Sequence, residues 1–109
     1  LSNERTFREN LTSVEEGLER LEDLITELQD DLAGRHEDRE IRECVVKVKF
    51  ADFQITSAQR ATDRVEPQVL RELLAEAWER GQGKSVRLIG AGVRFRSLEK
   101  DEDGQMEMF

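Results

Sequence analysis

Residues 44–53 read CVVKVKFADF, and residues 85–95 read SVRLIGAGVRF. Both stretches alternate. In the first, Cys44, Val46, Val48 and Phe50 point one way, and Val45, Lys47, Lys49 and Ala51 point the other. A strand sends successive side chains to opposite faces, so this pattern predicts one apolar face and one partly basic face. In the second stretch Val86, Leu88, Val93 and Phe95 form the apolar set, and Arg87, Arg94 and Arg96 fall on the far side. The two halves keep phase only if Gly90-Ala91-Gly92 carries a bulge or kink, a common use of glycine in strands. The reading is a sheet with helices on its apolar side and cations on its open side.

Working outward, the flanking segments supply those helices. Glu4–Arg8 is a short first strand anchored on Phe7. Ser13 followed by Glu16 is a capping box. Val14, Leu18, Leu21, Ile25, Leu28 and Leu32 then recur at steps of three and four, with Leu24 widening the stripe. Acids cover the remaining faces, and Gly34 is the expected C-terminal cap. The stripe spans fewer than three heptads, which favours a core-facing helix over a coiled coil. A charged connector, residues 35–43, follows. Its His36 has no second histidine or nearby cysteine at ligand spacing, so it reads as a solvated loop residue. After the long strand, Gln54–Ala58 reads as the turn and Ser57–Val65 as the return strand. Pro67 opens a second helix with Leu70, Leu73, Leu74, Ala77 and Trp78 on one side. A tryptophan can stack on bases, but Trp78 continues an i, i+4 series with Leu74 and belongs in the core. Gly81-Gln82-Gly83 stops the helix before the last strand. The order is β-α-β-β-α-β: an α+β domain, a four-stranded antiparallel sheet with two helices on one face.

Of the 109 residues, 37% are apolar and 39% charged, enough for one modest core. No run approaches a membrane span, and the polar N-terminus has no signal-peptide core. The chain does not begin with methionine and reads as a piece of something longer. Its single cysteine, Cys44, falls on the core face, consistent with a reducing cytoplasm. The net charge of −8 is unevenly spread. Residues 1–43 hold 6 basic and 14 acidic groups, residues 44–97 hold 10 and 6, and residues 98–109 hold 1 and 5. A polyanion responds to the local face over about 8 Å at physiological salt, so the basic half can meet phosphate despite the acidic total.

No catalytic constellation emerges. Gly83-Lys84-Ser85 imitates the end of a phosphate loop, but the required earlier glycine is Trp78 and the strand–helix order is reversed. Gly90-Ala91-Gly92 imitates a dinucleotide fingerprint whose third glycine would be Phe95. The carboxylates lie mostly on the outer face of the first helix. Binding is therefore the expected role. Lys47, Lys49, Lys84, Arg87, Arg94 and Arg96 share the open face with few acids among them, which suits phosphate contacts against the alternative of an ordinary soluble face. The end of the chain, Gln105-Met106-Glu107-Met108-Phe109, follows a charged, glycine-marked tail. It is equally the pattern of a frayed end and of a peptide captured in an apolar groove, with Met108-Phe109 as plug and Gln105 as polar latch.

The segments VKVKFADFQITS and AWERGQGKSVRLIGAGVRF, with the opening ERTF, resemble the C-terminal little finger domain of Y-family DNA polymerases, and among them the bacterial DNA polymerase IV (DinB) type. The resemblance covers Ser2 to Phe95. The tail QMEMF resembles the glutamine-leucine-x-leucine-phenylalanine peptide with which such polymerases hold the sliding clamp, with Met106 and Met108 replacing leucine. The resemblance implies the same βαββαβ fold, with residues 1–6 as the tether from a thumb domain, 7–97 as the little finger and 98–109 as a flexible acidic tail. It implies an open sheet face lying along the major groove of primer–template DNA. It implies an error-prone translesion polymerase as the parent enzyme, using Mg²⁺ held by a palm domain absent from this chain, with no cofactor in the fragment itself. Carried position by position, it adds Arg5, Thr56, Ser57 and Ser85 to Lys47, Lys49, Lys84 and Arg87 as DNA contacts. It assigns Gln105, Met106, Met108 and Phe109 to the clamp. The competing expectation is a non-catalytic, polymerase-like adaptor acting only through protein contacts. The acid-rich first helix departs from what the resemblance leads one to expect.

Overall fold

The apolar stripe from Val14 to Leu32 folds as one long helix because a single face can be buried while the acids stay in water. In the computed structural model, which describes residues 1–35 and 40–96, this is α1 (Val14–Arg35). It lies between β1 (Ser2–Leu11) and β2 (Ile41–Phe50) in the chain. β3 (Ile55–Ala61), α2 (Pro67–Glu79) and β4 (Val86–Phe95) complete the order. The sheet order is β1-β4-β2-β3, with every pair antiparallel. None of the described helices is long and apolar enough to cross a membrane.

The start of α1 is secured as the sequence predicts. The Glu16 backbone N–H donates to the Ser13 hydroxyl at 3.3 Å, and the Glu16 carboxylate accepts from the Thr12 N–H at 2.9 Å. The return bond thus reaches one residue beyond the cap itself. Gly34 lies inside the final turn of α1 and has no positive φ, so it is not the left-handed cap the sequence suggests. Pro67 opens α2, where its missing N–H removes no helical bond.

Both helices pack on one face of the sheet. Leu21, Leu24, Ile25 and Leu28 of α1 and Leu70, Leu73, Leu74 and Ala77 of α2 meet Cys44, Val46, Val48 and Phe50 of β2, all buried. Cys44 is fully buried, its Sγ 3.3 Å from the Thr62 hydroxyl. The inward set of β4 is Val86, Ile89, Ala91 and Val93. Leu88 is not among them. It pairs with Lys49 and faces outward, because the irregularity in β4 sits at Arg87, between the pairs Lys49–Leu88 and Phe50–Val86. The glycines of residues 90–92 run through in regular register with β2. They are needed instead for close approach. A Cβ on Gly92 would lie 2.5 Å from the Leu1 carbonyl oxygen and the Ser2 Cβ.

Three boundaries differ from the sequence reading. β1 begins at Ser2, and Ser2–Thr6 pair with β4 as far as Leu88, so the segment expected as a tether is part of the sheet. β2 begins at Ile41, three residues earlier than the alternation suggests. The β2–β3 turn lies at residues 51–53, ahead of the expected 54–58, and β3 ends at Ala61. Phe50 and Gln54 close this three-residue loop, with the Phe53 N–H bonded to the Phe50 carbonyl at 2.8 Å and the Asp52 carboxylate accepting from the Gln54 N–H at 3.0 Å. Its third residue must be left-handed, and Phe53 has φ 72°. Glycine or asparagine usually fills such a position. A bulky residue there costs on the order of 1–2 kcal/mol, so no sequence signal marks this turn.

Candidate nucleic-acid interface

The helix-free face of the sheet is a regular grid. One row across the strands is Ser2, Gly92, Val45, Gln59, the next is Glu4, Gly90, Lys47, Ser57, and the third is Thr6, Leu88, Lys49, Ile55. Arg94 and Glu43 face each other at one end. Strand alternation on β2 thus brings Lys47 and Lys49 to the open side, as their spacing predicts.

The structure also shows acids that the sequence reading did not place there. Lys47 forms an ion pair with Glu4, which reaches it across β4. Gly90 lies between them, and a Cβ there would sit 3.2 Å from the Glu4 Cγ and 3.6 Å from the Lys47 Cε. The missing side chain is the floor of this pair. Arg94 pairs with Glu43 at 2.5 Å, and its Nε is buried with no acceptor. Arg96, just beyond β4, pairs with Glu40 at 3.3 Å. Lys84, at the hairpin end of the sheet, pairs with Asp52 at 2.8 Å. The hydrogen bond from Lys84, and then that from the Gln54 backbone N–H, hold the Asp52 carboxyl below its usual range. The Lys47–Glu4, Lys84–Asp52 and Arg96–Glu40 pairs open to solvent, where an ion pair adds little and a phosphate can replace the carboxylate, whereas the Arg94–Glu43 pair is partly buried, with the Glu43 side chain only 12% exposed.

Lys49 and Arg87 differ. Neither has a carboxylate partner among the described residues. Both lie over the Phe53 ring, Arg87 at 4.5 Å and Lys49 at 5.4 Å from its centroid. Phe53 is 60% exposed and its neighbour Ile55 52% exposed. Phe53 was missed by sequence reading because it looked like one more apolar residue of an alternating strand.

Two expected contacts lie elsewhere. Arg5 pairs with Ile89, an inward residue of β4, and its guanidinium meets Glu27 of α1. Thr56 is opposite Val48, also inward, and its hydroxyl donates to the Ala77 carbonyl of α2 at 2.7 Å. Both side chains therefore sit on the helix side of the sheet. Ser57 is exposed on the open face beside Lys47, with its carbonyl accepting from Arg80. Ser85 uses its carbonyl to accept from the Ala51 N–H at 2.9 Å, tying the hairpin to the start of β4. His36 and the whole tail, including Gln105, Met106, Met108 and Phe109, lie outside the described residues.

Comparison with known proteins agrees with this architecture. The chain is 39% identical over 97 residues to DNA polymerase IV of Pseudoalteromonas translucida, covering 89% of this chain and 28% of that protein. It is 36% identical over all 109 residues to DNA polymerase IV of Pseudomonas entomophila, covering 30% of that protein. The chain thus spans under a third of the length of these relatives. Among solved structures, a complex of the beta-clamp processivity factor with the little finger domain of PolIV matches with a TM-score of 0.83 at 30% identity. That match covers 98% of this chain and 96% of the other. A ternary complex of Dbh DNA polymerase matches with a TM-score of 0.72 at 20% identity and shares the fold. The impB/mucB/samB family C-terminal domain matches residues 1–108. With this match over nearly its whole length and its βαββαβ order, the chain belongs to that family of C-terminal domains.

Proposed function

We propose that this chain is the DNA-gripping and clamp-docking domain of an error-prone translesion DNA polymerase of the polymerase IV type, working in the cytoplasm. The observation that carries the reading is the near-complete match, in both directions, to a little finger domain in a complex with a clamp. The open face carries the DNA half of the proposal. Lys47, Lys49, Arg87 and Arg94, with Ser57 beside them and Lys84, Ser85 and Arg96 at the ends, offer cations and backbone donors to phosphates without reading sequence. The major groove of primer–template DNA is the surface they meet. The tail Gln105–Phe109 carries the clamp half. Magnesium-dependent nucleotide transfer is assigned to a palm domain beyond this chain, and the residues here hold the duplex for it. The relatives' names as polymerases favour this reading over a non-catalytic adaptor.

A titration of the chain with primer–template duplex tests the grip. For about three phosphates neutralised, affinity should fall roughly 40-fold between 50 and 200 mM salt. Charge reversal at Lys47 and Lys49 together should weaken binding at least about tenfold at low salt. Affinity indifferent to both treatments would remove the open face from DNA binding.

The ion pair over Gly90 gives a second expectation. Glu4 competes with phosphate for Lys47, so Glu4→Gln should strengthen duplex binding about two- to fivefold, the worth of an exposed pair. The gain should vanish in a Lys47→Gln background. A gain of equal size there would assign it to general charge instead.

A further inference from the structure

Phe53 is not explained by the fold. It belongs to neither the buried core nor the partly buried residues packed against it. It holds a positive φ that glycine would adopt without strain. Its ring is largely in water yet lies against two cations. A residue that strains the backbone and adds nothing to the core is a candidate for a functional role.

The cations beside it suggest what. Lys47 and Arg94 are oriented by carboxylates, which cancel the charge they orient. An aromatic ring orients a cation through its quadrupole and leaves the full positive charge available. The Arg87 Nε is buried without an acceptor, so the terminal N–H groups of its guanidinium are the ones left for a phosphate. Lysine and arginine side chains also lose much rotamer freedom when they bind. A ring that restricts them beforehand reduces that loss on contact with a ligand.

We infer that Phe53 is a positioning residue, whose ring holds Lys49 and Arg87 together as a two-cation grip for backbone phosphates of DNA. The inference rests on the DNA-binding reading of the open face and deepens it. The strain at Phe53 is the counterpart of that placement. The three-residue loop puts its left-handed position beside Lys49 and across from the irregularity in β4 that carries Arg87.

The test compares the unaltered 109-residue chain with Phe53→Gly and Phe53→Trp, each titrated at low salt with a fluorescent primer–template duplex. Phe53→Gly should weaken binding about three- to tenfold, while its melting temperature stays level or rises, since glycine suits the backbone. Phe53→Trp keeps a ring and should bind within about twofold of the unaltered chain. In a Lys49→Gln/Arg87→Gln background, Phe53→Gly should have no further effect. Unchanged affinity of Phe53→Gly overturns the inference. So does an equal loss in the background without cations, which would put the ring itself against DNA. A readout without DNA separates this from the reading beneath it. The Arg87 Nε–H resonance should be ordered in the unaltered chain and mobile in Phe53→Gly. Order retained in Phe53→Gly overturns the inference. If that order is lost as expected but the unaltered chain binds no duplex, the DNA reading fails and the ring's hold on its cations stands.

Discussion

Removal of Gln105–Phe109 should lower affinity for a sliding clamp at least about 100-fold while leaving the fold intact. The size follows from the residues removed. An aromatic residue with two flexible apolar side chains beside it is the composition of an anchor, and single anchors of this kind are worth about 2–4 kcal/mol each. With about 1.4 kcal/mol for each factor of ten, losing the plug and its neighbours takes away two or more decades. Phe109→Ala alone should cost about 30-fold by the same conversion. Stability should not follow, because the described residues up to Val93 already form a continuous buried core between the sheet and both helices. Surface plasmon resonance against immobilised clamp, with a melting curve of the same sample, gives both answers. Clamp affinity that survives the deletion would move the docking site onto the folded part of the chain.

The second large effect is structural. Gly17 lies on the buried side of α1, and a Cβ there would come within 2.3 Å of Trp78 Cζ3 and 2.9 Å of its Cη2. Trp78 closes the same core from α2 and cannot swing aside without opening it. Overpacking of this kind costs about 1–3 kcal/mol, and a branched side chain falls at the upper end. The gain in helix propensity over glycine is at most about 1 kcal/mol and smaller for valine, so the clash wins. Gly17→Val should therefore lose about 2–3 kcal/mol and melt roughly 10–20 °C lower. Gly34→Ala, near the end of the same helix, is the control. A Cβ there meets nothing within 4 Å, so it should be neutral or slightly stabilising. Trp78→Leu introduced beside Gly17→Val should recover part of the loss. Equal melting of Gly17→Val and the unaltered chain would show that the two helices yield more easily than their packing indicates.

The helices and the inward face of β2 were legible because hydrophobic period and strand alternation report burial directly. Val14 to Leu32 and Cys44 to Phe50 leave little freedom about which side faces the core. The open face was legible for Lys47 and Lys49 by the same alternation. What was hidden depends on partners distant in sequence. Glu4 neutralises Lys47 only because β1 and β2 flank the same glycine of β4. Arg5 and Thr56 turn to the helices because of a register that one strand alone does not reveal. In β4 the apolar pattern allowed the phase change at the glycines or at Arg87. Pairing with β2 decided it, and Leu88 came to the surface. The turn was hidden for a local reason: a phenylalanine occupies a backbone position where glycine is the usual sign.

The strand order β1-β4-β2-β3 sets how this domain comes into being. β4 is the last of the four strands in the sheet to leave the ribosome, yet it lies in the interior of the sheet between the first strand and the hairpin. Until it emerges, β1 has no hydrogen-bonding neighbour, and the edge of β2 that will receive β4 is bare. Assembly must wait for contacts about 85 residues apart, such as Thr6 with Leu88, which slows closure and leaves an adhesive edge open during synthesis. A nascent chain halted before Val86 should therefore be a client for chaperones, and release of its last ten strand residues should trigger cooperative folding.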